Sequence, residues 1–258
     1  MGNLRETIQD YLWNGKELTK EICLALLPNT QKEKEAFLEE VKKRVNYYQP
    51  IIENKCKINL GEISVKDGRH MFPDLFCELA YNSAFENATN RGRIPTKKDF
   101  NSSFRQSAID ELIFYLPFCA IYSFNGADYS TNPSTNTIYV PFTFSTRFGT
   151  DFEERLAFAD ISIVHEISHI LWKRILDQPI FKTKTNTERM WGEGFANYCA
   201  EEYFQGFYPK GAHKCISFFS PKMYQDGQKK VEKLVKKRGI ESLLEVPKRW
   251  EEFEKEIE

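Results

Sequence analysis

Ile163-Val-His165-Glu166-Ile-Ser-His169-Ile-Leu171 is the stretch on which the reading of this chain turns. Two histidines four residues apart lie on the same face of a helix, close enough for both imidazoles to reach one tetrahedral ion. Glu166, next to the first of them, leans over the coordination position that two such ligands leave open. The chain has only four histidines, and two of them are here. A chance HExxH match is expected in under about one such sequence in a hundred. The residues flanking the motif are apolar, as a buried helix requires when its few polar groups face one another around a shielded ion.

Working outward, the helix that carries the motif is expected to start at Thr150, whose hydroxyl caps it while Glu153 completes a capping box. It then runs through Leu156, Ile161, Val164 and Ile167 towards Trp172. Zinc needs a third protein ligand and a free position for water. The following helix, about Glu188 to Phe204, offers Met190-Trp-Gly-Glu193-Gly-Phe-Ala-Asn-Tyr198. Glu193 is the natural third ligand. Gly192 and Gly194 let this helix approach the first closely, and Phe195 and Tyr198 cover the seam. A third helix is marked by Ser220 as N-cap, Pro221 at its first position and Gly239 just past its end.

These two stretches together, His165-Glu-Ile-Ser-His169 and Trp191-Gly-Glu193-Gly-Phe-Ala-Asn-Tyr198, resemble the gluzincin zinc peptidases. The second is similar to the "NEGFA-Y" segment of aminopeptidase N-type enzymes, and the chain also resembles the small minigluzincins. The resemblance covers about residues 136 to 245. It implies zinc held by His165, His169 and Glu193, with Glu166 as general base and proton shuttle in peptide hydrolysis. Twenty-three residues separate His169 from Glu193, somewhat more than in thermolysin-like or aminopeptidase N-type enzymes. No GxMEN motif is present, so an endopeptidase is favoured over an aminopeptidase. Where a gluzincin places an acidic residue to orient the first histidine, this chain has Asn197, which can accept the hydrogen bond but adds no charge; Glu201, one turn on, is its rival.

Two further roles have candidates. Tyr224 shares a face with Gln228, Val231 and Val235 on the third helix, and it is the first choice of donor to the oxyanion, with His213 second. The strand Thr137 to Phe142 lies just upstream of the metal helix, as the edge strand does in this peptidase class. Ile138, Tyr139 and Val140 would there pair with an extended substrate peptide. The expected fold is therefore α+β and mainly helical, with a zincin-type core whose small sheet presents that edge strand.

The first half of the chain carries no chemical motif. Leu18, Ile22, Ala25 and Leu26 recur at helical spacing before Pro28, and Phe37, Val41, Val45 and Tyr48 before Pro50, with a strand pair around Lys55 to Val65. This gives a helical N-terminal region over residues 1–115 and a peptidase-like core over 116–258. Cys119-Ala-Ile-Tyr-Ser-Phe124 reads as another strand. Cys119 could in principle serve as the third ligand of a peptide deformylase, but its plain apolar neighbourhood lacks the polar context of that site.

Thirty-six Lys and Arg against thirty-seven Asp and Glu leave a formal charge of -1, so no global field favours nucleic acid or an anionic membrane. The basic run Lys229 to Arg238 has apolar residues at helical spacing and reads as a solvated helix face. Six scattered cysteines without a CxxC pair, and an amino terminus lacking an apolar signal region, point to a cytoplasmic protein with free thiols. A peptide or protein substrate is the expected partner. The alternative is a binding or regulatory protein that keeps the gluzincin scaffold without efficient catalysis.

Overall fold

The computed structural model describes residues 31–68, 88, 90–92, 96, 129–133, 135–140, 152–176, 185–209 and 222–257. Within them the protein is mainly helical, with a small three-stranded sheet. Helix α1, Gln31–Cys56, forms because Phe37, Val41, Val45, Tyr48, Ile52 and Cys56 recur every three or four residues and are all buried. Its pattern does not stop at Pro50 as expected. Proline removes one backbone donor, but Ile52 and Cys56 continue the apolar stripe, and the helix runs six residues further. It ends at Lys57, whose positive φ of 58° breaks the α-helical path.

The strand pair expected around Lys55 to Val65 is not formed, because its first residues belong to α1. A single strand, β1, Ser64–Asp67, follows, and β2, Ser130–Asn132, and β3, Thr137–Val140, complete a sheet of order β1-β3-β2. All four residues of β3 are buried. Asn136, with φ of 50°, turns the chain into β3, and its side-chain amide donates to the carbonyl of Leu60 at 2.9 Å. Strand β3 is thus the middle strand of the described sheet, not its edge. The proposed strand Cys119–Phe124 and the helix before Pro28 lie outside the described residues.

Helix α2, Phe152–Leu176, carries the HExxH motif; the capping role given to Thr150 lies outside the described residues. Helix α3, Asn186–Tyr198, starts two residues earlier than expected, because the Thr185 hydroxyl accepts from the amide of Glu188 at 3.1 Å and caps it. Instead of running as one helix to Phe204, it passes into a π-helical turn, Cys199–Tyr203. Helix α4, Lys222–Arg238, ends as expected at Gly239, where φ is 90°; Ser220 and Pro221 fall outside the described residues. A last helix, α5, Val246–Ile257, was not foreseen and buries Val246, Phe253 and Ile257.

Helices α3 and α4 cross at two glycines. A Cβ on Gly194 would stand 2.1 Å from the Gly227 carbonyl carbon, and one on Gly227 would stand 2.0 Å from the Met190 oxygen. Gly194 therefore serves the approach of α3 to α4, not to α2 as expected. Gly192 does face α2, where its Cβ would meet Trp172 at an ordinary 4.0 Å, and Phe195 packs edge-on against that indole at 5.4 Å. Helix α5 is tied in by Glu254, which accepts from Trp191 Nε1 at 2.7 Å and pairs with Lys230.

The chain divides into two compact units, each built from separate segments. One comprises Glu35–Val65, Tyr129–Ile138 and Phe148–Glu258; the other comprises Met1–Lys34, Lys66–Asp128 and Tyr139–Arg147. From Glu35 onward, α1 belongs to the same unit as α2. Arg44 and Tyr48 of α1 both bind the buried Asp160 of α2, the tyrosine hydroxyl donating at 2.8 Å. Among the described residues no helix is long and apolar enough to cross a membrane.

Candidate metal centre

Helices α2 and α3 run antiparallel, with Trp172 opposite Gly192 and Phe195, and Ser168 beside Cys199. That alignment brings Glu193 over the two motif histidines. The Nε2 atoms of His165 and His169 lie 3.1 Å apart, and Glu193 Oε2 is 3.4 Å from the first and 3.2 Å from the second. The two imidazoles stand nearly perpendicular, at 85°. Among the described residues this trio is the one group of His, Cys, Asp and Glu whose donor atoms converge enough to hold a metal ion.

The geometry suits a cation better than a hydrogen-bonded cluster. Tetrahedral zinc with ligands at about 2.0–2.1 Å sets neighbouring donor atoms about 3.3 Å apart, and the three observed separations bracket that value. In a near-equilateral triangle, by contrast, no N–H can point straight at two partners. Glu193 Oε2 is buried and makes no hydrogen bond, although both Nε2 atoms are close. A cation among the three atoms would satisfy them together. Burial pushes the Glu193 carboxyl up, but His169 and His165 outweigh it and hold it well below the usual carboxylate range. The third donor is therefore anionic.

Glu166 is buried, 6% exposed, next to His165 on α2, and is not one of the three converging side chains. Tyr224 of α4 lies flat over His165, ring centres 6.3 Å apart and 10° from parallel, so α4 does reach the site. Asn197 is fully buried one turn beyond Glu193, but its amide makes no hydrogen bond, to His165 Nδ1 or to any other group. Its rival Glu201 accepts from Gln228 Nε2 at 2.8 Å through Oε2. His213 lies outside the described residues. Ile138, Tyr139 and Val140 are buried in the middle strand, flanked by β1 and β2, so they do not form the free edge expected for a substrate.

Two contributors escaped the sequence. Gln228 was legible only as a neighbour of Tyr224 on α4; the hint of a polar role is an amide on an otherwise apolar stripe. Asp160, five residues before His165, is an acid among Ala159, Ile161 and Ile163, a pattern that calls for a buried partner.

Fold and site together define a mainly helical α+β protein with a two-histidine, one-carboxylate cluster able to hold a metal ion. Comparison with protein-family models, with curated proteins and with solved structures finds no match.

Proposed function

We propose that this chain is a zinc-dependent peptidase of the gluzincin type, acting as an endopeptidase. The observation that carries the proposal is the triangle of His165, His169 and Glu193 donors, with the edge lengths of a tetrahedral site, beside the buried Glu166. Zinc is favoured by the imidazole and carboxylate donors, and when bound there it supplies Lewis acidity and makes water acidic near neutral pH. Glu166 takes the proton of the attacking water and delivers it to the leaving amine as the peptide bond breaks. Tyr224 donates its hydroxyl to the developing oxyanion, a role supported by its ring lying parallel to that of His165. Its substrate is a peptide or unfolded protein, and the docking edge for it lies elsewhere than β3.

Glu166→Gln tests the assignment because it keeps volume and removes the base. The variant should retain the wild-type zinc content and lose at least about 100-fold in turnover of an unfolded protein substrate. Full activity in the variant would remove Glu166 from the mechanism.

The placement of β3 inside the sheet favours a second reading, a gluzincin-scaffold protein that binds rather than cleaves, because the expected substrate edge is already paired. Zinc-loaded wild type that shows no hydrolysis of unfolded protein, matching its Glu166→Gln variant, would select it.

A further inference from the structure

Besides Glu193 Oε2 and Trp172 Nε1, four buried polar atoms on α2, on α3 and on its π-helical turn make no hydrogen bond: His165 Nδ1, Asn197 Oδ1, Asn197 Nδ2 and Glu201 Oε1. Buried polar groups of native proteins are rarely left so, and each such atom calls for an explanation. Their chemistry is complementary. When Nε2 of His165 faces a cation its Nδ1 carries a proton and is a donor, the Asn197 carbonyl is an acceptor, its amino group a donor, and the carboxylate an acceptor.

The surrounding contacts close a ring around these atoms. Glu193 touches His165, Asn197 follows Glu193 by one turn of α3, and Glu201 follows Asn197 by four residues. Gln228 clamps Glu201 Oε2, and Tyr224, one turn back along α4, lies on His165. The π-helical turn Cys199–Tyr203 contributes to this alignment. In a regular α-helix residues four apart are offset by about 40° around the axis. The wider π turn winds less per residue and brings Glu201 back towards the face of Asn197 and Glu193.

We infer that Glu201 and Asn197 form a positioning relay for His165, in which Asn197 accepts from His165 Nδ1–H and donates to Glu201 Oε1. Gln228 fixes the carboxylate, the carboxylate fixes the amide, and the amide fixes the imidazole ring and its tautomer, leaving Nε2 free for a metal. The charge missing at Asn197 is supplied one turn further on. The relay rests on the proposed metal site, and its test reads metal affinity and a spectroscopic signal, not activity.

The experiment compares zinc affinity, by competition with a chromophoric chelator, in wild type, Asn197→Leu, Asn197→Asp and Glu201→Gln. Proton–nitrogen spectra of the zinc-loaded, histidine-labelled proteins accompany it. Wild type should show a solvent-protected imidazole N–H from His165. Asn197→Leu should lose that signal and bind zinc roughly 10- to 100-fold more weakly. Asn197→Asp should keep both, because its carboxylate accepts from Nδ1–H directly. Glu201→Gln, which preserves shape and remains informative if Asn197→Leu does not fold, should weaken zinc binding several-fold and shift the signal. Zinc-binding wild type without a protected N–H, or unchanged affinity in Asn197→Leu and Glu201→Gln, overturns the relay alone. Wild type that takes up no zinc overturns the metal site and the relay with it.

Discussion

Glu193 sits where two opposing forces meet. Burial favours its neutral form, yet the imidazoles of His169 and His165 hold its carboxyl well below the usual range, so it remains charged at neutral pH. Glu193→Gln keeps the shape and removes the charge. It should weaken zinc binding by more than the roughly 10- to 100-fold typical of an outer partner, as read by chelator competition, and an unchanged affinity would exclude Glu193 as a ligand. A second residue-scale prediction concerns Cys56. Burial pushes its thiol up to about 11 from its ordinary value of 9.0, only partly opposed by Lys55. The group's folded pKa is raised, so its contribution to stability is complete below about pH 9 and is lost as pH rises through about 11. Alkylation at pH 8 should therefore spare Cys56 in the native protein and modify it after unfolding, as mass mapping would report. Rapid native labelling would contradict the burial. At this scale the sequence was most informative where chemistry depends on spacing: His165, Glu166 and His169 follow from the motif, and Glu193 from its glycine-flanked helix. Asn197 was singled out as well, but whether an amide one turn from a ligand meets the imidazole depends on its rotamer, which no spacing encodes.

Between elements, the approach of α3 to α4 sets the surroundings of the three converging donors, because α4 supplies Tyr224 and Gln228. Gly194 and Gly227 allow the two backbones to meet, and a methyl group at residue 194 would collide with main chain that has nowhere to yield. Gly194→Ala should destabilise by about 3 kcal/mol in denaturant unfolding, the upper part of the usual overpacking range. Gly206→Ala is its control: nothing lies within 4 Å of a Cβ there, and it should stay within about 0.5 kcal/mol of wild type. Equal stabilities for the two variants would mean that the helices do not cross at these glycines. Helix periodicity made α2, α3 and α4 legible, including the stop at Gly239. It gave no sign of which neighbour Gly194 faces, since small residues permit a close approach without naming the partner. Pro50 misled for a related reason: a proline stop is a local rule, and the buried stripe of α1 continuing through Ile52 and Cys56 overrode it.

Across the whole molecule, a helix from the motif-free half proves to be structural support for the helix that carries the HExxH motif. Asp160 of α2 is buried and held by Arg44 and Tyr48 of α1, so the two halves of the sequence meet in one unit. No composition shift announces this, because the contact joins residues more than a hundred positions apart. Sheet order was hidden for the same reason: β3 reads as a strand locally, but edge or centre depends on β1 and β2, which come from distant segments. What the sequence did convey is the mainly helical α+β class and the convergence of His165, His169 and Glu193, a group that could hold a metal ion. The most direct test of that centre is elemental analysis of the dialysed wild type beside its His169→Ala variant. About one zinc per chain in the wild type and little in the variant is the predicted result. A folded wild type that carries no metal and takes up none when zinc is added would contradict it.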